Sequence, residues 1–145
     1  LDDVRLMTEE VFPVCSPALL ERGPPLAKPS DLARHTLLHD NLHENWRMWL
    51  LAAGAPEVDA TRGPGYYRSN LVIQAAVAGE GVALGRSVLV ADELASGRLI
   101  KPFDVSLPVE FAHYVVSPQA TKDRPKIKAF REWLLQEARD TVPGV

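Results

Sequence analysis

Three histidines have a spacing that could bind a metal ion. His35, His39 and His43 stand four residues apart, and imidazoles at that spacing on one helix can ligate zinc. The residues between the first two, Thr36-Leu37-Leu38, favour a β-strand instead. Because a strand would point the three imidazoles in different directions, we predict no metal site.

The single cysteine, Cys15, is the other residue with reactive potential. A cysteine nucleophile needs a base and oxyanion donors beside it, and nothing in the sequence places them there. One cysteine excludes an internal disulfide and fits a reducing compartment. The stretch Gly79-Glu80-Gly81 follows a predicted helix and lacks the third glycine of a dinucleotide fingerprint. We therefore predict no catalytic residue, no cofactor and no enzymatic activity.

Polar clusters at the ends of predicted parallel strands are the remaining candidates for a site. They are His39-Asp40-Asn41, Tyr67-Arg68-Ser69-Asn70 and Gly85-Arg86. For any one cluster, capping and solvated-turn chemistry explains the residues equally well. Three clusters at one sheet edge favour a ligand site. A helix that begins at Ser69 or Asn70, helped by Arg68 or Arg86, would bind a small polar ligand that carries a carboxylate.

The stretch 66–86 must position these clusters. It is predicted to form a strand, a sharp turn, a helix from Leu71 to Ala78, a glycine turn at Gly79 and an apolar strand at 82–84. Ser69 or Asn70 is the predicted N-cap. A right-handed β-α-β crossover places the helix N-terminus at the carboxyl edge of the strands, where open α/β sheets bind ligands.

The rest of the chain is predicted to add short elements on both sides of this unit. They are an extended segment at 11–15, kept to an edge or crossing position by Pro13; helices at 18–22, capped by Ser16, and at 30–34; a strand at 36–39; a helix at 44–53 that buries Trp46, Trp49 and Leu50; a helix capped by Ser87 that ends at Gly97; strands at 98–103 and 111–116; and a final helix at 126–139.

Composition bounds the kind of protein. The chain has 145 residues, enough for one domain with a real core. The chain has 16 Lys and Arg residues and 19 Asp and Glu residues, so its net charge is −3. It therefore lacks the excess of positive charge that is typical of a nucleic-acid-binding domain. No apolar run reaches membrane-spanning length. The first residues show neither an initiator Met nor a signal-peptide pattern, and we expect the chain to be a piece of something longer.

Several motifs in this order resemble one known family. They are Pro13-Val14-Cys15-Ser16-Pro17-Ala18-Leu19-Leu20, Leu37-Leu38-His39, Trp46-x-x-Trp49-Leu50, the run from Gln74 to Arg86, Leu94-x-x-Gly97-Arg98-Leu99 and Ala129-Phe130-x-x-Trp133-Leu134. Nearly the whole chain resembles the effector-binding domain of LysR-type transcriptional regulators, in the branch that includes the glycine-cleavage activator.

This resemblance implies an α/β, type 2 periplasmic-binding-protein-like fold. Residues 1–15 would cross from lobe one, residues 16–110 would form a Rossmann-like lobe two, and residues 111–145 would be the returning strand and last helix of lobe one. A small-molecule effector would lie between the lobes, against Tyr67, Arg68, Ser69, Asn70, Arg86 and His113. DNA would be bound only through a separate N-terminal helix-turn-helix, in a cytoplasmic homo-oligomer without membrane contact.

Two other classes share the implied fold, and the final helix raises a separate question. A transporter's solute-binding protein would need an export signal, and a biosynthetic enzyme would need a catalytic pair. The helix carries one apolar face, formed by Ile127, Phe130, Trp133 and Leu134. Because a large apolar face is unstable in water, we expect this chain either to self-associate through Trp133 and its neighbours or to leave the helix mobile.

Overall fold

The computed structural model describes residues 2–40, 44–108 and 113–141. Clustering of contacts divides the chain into two compact units, one from residues 1–10 with 108–145 and the other from residues 11–107. The strands are β1 (Asp2–Met7), β2 (Glu10–Val14), β3 (Leu37–Leu38), β4 (Val82–Arg86), β5 (Leu107–Pro108) and β6 (His113–Ser117). The helices are α1 (Pro17–Arg22), α2 (Glu44–Ala52), α3 (Ser69–Val77), α4 (Ala91–Ser96) and α5 (Pro125–Thr141), with a 3-10 helix at Pro29–Arg34. None of these helices, within the described ranges, is long and apolar enough to cross a bilayer.

β4 lies inside a four-stranded sheet whose order is β3-β4-β2-β5. It runs parallel to β3 and antiparallel to β2. The predicted apolar strand with a parallel neighbour is therefore confirmed. Because β3 and β4 run in the same direction, their carboxyl ends meet at one edge of the sheet, where Arg86 also pairs with Val11 of β2.

The strand around Pro13 was predicted to hold an edge or a crossing position, and the edge position is wrong. β2 has β4 on one side and β5 on the other. β5 is only two residues long, so few ladder hydrogen bonds are required on that side, and a residue without an N–H group is tolerated there.

The start of α3 also differs from the prediction. Its N-cap residue is Arg68, whose side chain makes no capping hydrogen bond, and Ser69 is the first helical residue. Neither Ser69 nor Asn70 is the cap. The predicted end is confirmed, since Gly79 follows the helix with φ +81° and an L side chain would be strained there.

Three other predicted elements are shorter than expected or begin elsewhere. No strand precedes α3 in the described structure of residues 65–68; Gly65 makes only a parallel bridge to His39. The predicted strand at 98–103 is reduced to one bridge between Ile100 and Cys15. α4 begins after Val90, because residues 87–90 form a turn whose N–H groups at Leu89 and Val90 bond back to Arg86.

The core of residues 11–107 has an aromatic part and an aliphatic part. Trp46 and Trp49 are fully buried on α2, with ring centroids 5.9 Å apart in an edge-to-face arrangement. Their indole N–H groups donate to the carbonyls of Leu38 and Val105, both at 3.0 Å, which removes the cost of burying them. The predicted buried face of α2, including Leu50, is confirmed. α3 packs through Val72, Ala75 and Ala76 in the aliphatic part, as its small residues predicted.

The other unit contains a two-stranded sheet and the final helix. β1 pairs with β6 in an antiparallel ladder that is irregular between Arg5 and Met7. α5 contacts β1. Phe130 and Trp133 on α5 are 59% and 56% exposed, and their rings stack with centroids 6.0 Å apart.

Candidate functional site

One cavity brings together residues from three elements at the carboxyl edge of the sheet. Asp40 follows β3, Ser69 begins α3 and Arg86 ends β4, and all three side chains line it. Its apolar walls are Val72, Ile73, Leu84 and Leu89. The volume is about 10 Å³, roughly the minimum needed for a single water molecule. The cavity can therefore enclose no more than a water-sized polar group.

A second cavity of about 10 Å³ shares Asp40, Leu84 and Arg86 with the first. The remaining lining residues are Val11, Leu38, His39, Asn45 and Trp46. Arg86 and Asp40 therefore contribute one basic and one acidic residue to the lining of both cavities, together with apolar residues.

The structure brings together only some of the predicted residues. Ser69 is half-buried and lines the first cavity with Arg86. Tyr67, Arg68 and Asn70 are exposed and line neither cavity, and Tyr67 is 83% exposed. His113 lies on β6 in the other unit, and its side chain is outside the described residues.

The first turn of α3 is electrostatically suited to an anion. Because Arg68 provides no side-chain cap, the N–H groups of Ser69 and Asn70 lack the usual side-chain acceptor, whereas the N–H of Leu71 bonds to the Arg68 carbonyl. Together with the helix dipole they form a positive end at Ser69. Arg86, at the end of β4, adds a full positive charge. A carboxylate beside Ser69 would meet both the N–H groups and the guanidinium.

Sequence analysis placed Asp40 in one of the three candidate clusters but not in the final set of ligand-binding residues, and it did not include the apolar walls. The sequence does indicate a site position for Asp40, because Asp40 follows a strand that ends at the same edge. It does not indicate one for Leu89 or Ile73, since their positions depend on the turn at 87–90 and on which face of α3 meets β4.

A larger cleft of about 370 Å³ lies between α2 and the loop after it. Arg47, Glu57 and Asp59 contribute its charges. The side-chain and backbone groups of Thr61 donate hydrogen bonds to the Asp59 carboxylate and lower its pKa. That carboxylate is therefore already engaged within its own loop, and most residues of the cleft are exposed.

The alternative chemistry considered for histidine and cysteine has no support at the described residues. The rings of His35 and His39 each meet a backbone carbonyl, of Pro25 and Arg62 respectively. No group of three metal-binding side chains occurs in the part of the chain that the structure describes, which does not include His43. Burial raises the pKa of the Cys15 thiol to about 11, so the thiolate needed for nucleophilic attack is scarce at neutral pH.

Comparison with protein families gives one match over almost the entire chain. Residues 1–139 match the family described as LysR substrate binding domain. The glycine cleavage system transcriptional activator of Escherichia coli K12 is 40% identical over 134 residues, which are 92% of this chain and 44% of that protein. Its homolog in Haemophilus influenzae is 30% identical over 93% of this chain and 44% of its own length. The chain thus spans less than half the length of these relatives.

Solved structures agree with the sequence comparison. The effector domain of the transcriptional regulator AmpR of Pseudomonas aeruginosa has a TM-score of 0.76 and 30% identity, and the match covers 99% of this chain and 68% of that one. The AmpR effector binding domain of Citrobacter freundii has a TM-score of 0.75 and 25% identity over 97% of this chain and 68% of its own. Such regulatory domains have the type 2 periplasmic-binding-protein-like fold, so the predicted α/β fold class is confirmed.

Proposed function

Because the chain belongs to the LysR substrate-binding domain family, we propose that it is the effector-sensing part of a bacterial LysR-type transcription factor. The observation that carries this proposal is the cavity at the sheet edge, where Ser69 and Arg86 meet beside the uncapped start of α3. Neither a solute-binding protein nor an enzyme is favoured, since the relatives named above are transcriptional regulators.

The proposed ligand is a small polar metabolite that carries a carboxylate. Backbone N–H groups at a helix start and an arginine are the groups that recognise a carboxylate. The cavities are small, so the described residues would hold the carboxylate end of the ligand. Tyr67, Arg68 and Asn70 are exposed beside this position and are proposed to contact the rest of the ligand. His113 is proposed from the family resemblance alone.

The wider biology follows from the proposed role. A net charge of −3 is unfavourable for phosphate contacts, so DNA would be bound by a separate helix-turn-helix domain of a homo-oligomer in the cytoplasm. The division into residues 1–15, 16–110 and 111–145 stays a proposal as well. Regulation would require that the effector bind one conformation of the domain better than another.

An NMR titration with acetate tests the proposed site. Acetamide is the matched control, because it has nearly the same shape without the charge. We expect acetate, and not acetamide, to shift the amide signals of Ser69 and Asn70. Arg86→Gln should weaken the acetate response about tenfold, as expected for the loss of a charged hydrogen-bond donor.

Arg98→Gln is the control variant, since Arg98 is an exposed arginine that pairs with Glu93 and lines neither cavity. It should leave the acetate response unchanged. Equal shifts with acetate and acetamide, or equal effects of the two arginine variants, would contradict a carboxylate site at this edge.

A further inference from the structure

His39 connects the end of β3 to the segment that leads into α3. The residue is only 2% exposed. Its backbone N–H donates to the carbonyl of Pro64 at 3.0 Å, and its own carbonyl accepts from the N–H of Tyr66 at 2.8 Å. Its ring Nε2 meets the carbonyl oxygen of Arg62. Since a carbonyl oxygen only accepts, Nε2 carries the hydrogen and the ring acts as a donor.

The segment held by His39 is fixed at other points too. The Arg62 guanidinium donates to the carbonyl of Leu32 at 3.1 Å. Gly63 has φ +96° and lies so close to β3 that an added Cβ would be 1.8 Å from the Leu37 carbonyl oxygen. Gly65 completes a parallel bridge with His39. Residues 62–66 therefore lie beside β3 in one defined position.

We infer that His39 is the positioning residue of the candidate site. α3 begins at Ser69, three residues after Tyr66, and three residues span at most about 10 Å. Fixing Tyr66 therefore restricts where Ser69 and the first turn of α3 can lie relative to Arg86. His39 also precedes Asp40, which lines both cavities. The inference rests on the proposed function, because it assigns a role within that same site.

His35 is a matched control for His39. It is similarly buried, at 4% exposed, and its ring Nε2 also meets a backbone carbonyl, that of Pro25. His35 and Pro25 line neither cavity at the sheet edge, whereas His39 also lines the second one. A variant at His35 therefore loses a buried histidine and a ring hydrogen bond whose acceptor, Pro25, lies outside residues 62–66.

The test is amide hydrogen exchange in His39→Leu, His39→Gln and His35→Leu. Leucine keeps much of the volume and removes the donor, whereas glutamine keeps an N–H group able to reach the Arg62 carbonyl. We expect His39→Leu to accelerate exchange at residues 64–70 at least tenfold relative to the rest of the sheet. His39→Gln should restore most of the protection, and His35→Leu should leave these residues as in the wild type. Equal acceleration in both leucine variants would overturn the inference.

A second measurement needs no variant and remains decisive if His39→Leu does not fold. In the wild type, the backbone amides of His39 and Tyr66 should become exposed to solvent in one shared opening. After correction for the intrinsic exchange rate of each residue, their two exchange rates should therefore agree within about threefold. Exchange of Tyr66 more than tenfold faster than that of His39 would show that the segment opens independently, which also overturns the inference.

Acetate titration separates this inference from the proposed function. If acetate shifts Ser69 in the wild type, His39→Leu should weaken that response at least threefold and His39→Gln should recover it. If acetate has no effect on the wild type, the carboxylate site fails, and hydrogen exchange alone decides whether His39 positions residues 62–70.

Discussion

Ser69 and Arg86 line the same cavity, although one begins a helix and the other ends a strand. The parallel pairing of β3 with β4 produces this arrangement, because the chain returns through α3 and delivers its first turn to the carboxyl edge. In the proposed site, the side-chain hydroxyl of Ser69 and the guanidinium of Arg86 would contact the same small anion.

Ser69→Ala should weaken acetate binding about fivefold, as expected for the loss of one hydrogen bond worth about 1 kcal/mol. NMR titration measures the change. Ser96→Ala is the control, since Ser96 is an exposed serine at the end of α4 whose hydroxyl bonds to the carbonyl of Glu93. An unchanged acetate affinity in Ser69→Ala would remove Ser69 from the site.

Asp40→Asn should strengthen acetate binding about threefold. Asp40 lines both cavities with Arg86, and its negative charge opposes a second carboxylate at short range. The measurement is the acetate titration repeated at low and high salt, because screening should reduce the difference. Asp104→Asn is the control, since Asp104 is exposed and lines neither cavity. Weaker acetate binding in Asp40→Asn would show that the carboxyl group has a different task in the site.

Periodicity and turn residues predicted those parts of the fold that depend on local chemistry. The buried face of α2, the apolar β4, and the left-handed glycine that ends α3 are of this kind. Ser16 caps α1 as expected, with its hydroxyl accepting from the N–H of Ala18. These features depend on residues near one another in the sequence.

The incorrect predictions depended on tertiary contacts. Leu99, Ile100 and Phe103 have strand-like composition, yet the one β-bridge described among them joins Ile100 to Cys15, and the Leu99 N–H donates to the carbonyl of Glu93 in α4 instead. The sequence did not show that β5 would be short enough to let Pro13 occupy an interior strand. Likewise, the backbone hydrogen bonds that join His39 to Pro64 and Tyr66, just before the first helical residue Ser69, are long-range contacts that no local pattern indicates.

Gly63→Ala should lower the free energy of unfolding by about 3 kcal/mol or more. Gly63 combines a positive φ with a contact of 1.8 Å between an added Cβ and the Leu37 carbonyl oxygen. Gly54→Ala is the control, because Gly54 has φ +78° and no atom within 4 Å of an added Cβ. That variant has only backbone strain and should lose about 1 kcal/mol. Chemical denaturation measures both, and equal losses would mean that the close contact can relax.

Self-association through α5 should decrease when its exposed aromatic pair is changed. Phe130 and Trp133 stack on the surface and expose more than half of their area. Burial of such side chains against a second copy would contribute about 1.5–3 kcal/mol each. We expect light scattering to show concentration-dependent association of the wild type and a shift towards monomer in Trp133→Lys. Leu51→Lys, at a residue 60% exposed on α2, is the control. A strictly monomeric wild type would contradict this prediction.

Stability should decline between pH 9 and pH 11 because of Cys15. Burial raises the pKa of its thiol from 9.0 to about 11. The unfolded chain loses this proton above pH 9 while the folded chain keeps it, so stability present below pH 9 is lost as the pH rises towards 11. The loss should be roughly 2–3 kcal/mol. The control is Cys15→Ala, which lacks this thiol. The pKa of Tyr66 is also raised, by its hydrogen bond to Glu80, but this residue is present in both proteins. The free energy of unfolding of the wild type minus that of Cys15→Ala, measured at pH 8 and again at pH 10.5, therefore isolates the contribution of the thiol. If this difference is the same at both pH values, Cys15 is accessible to water in the native state.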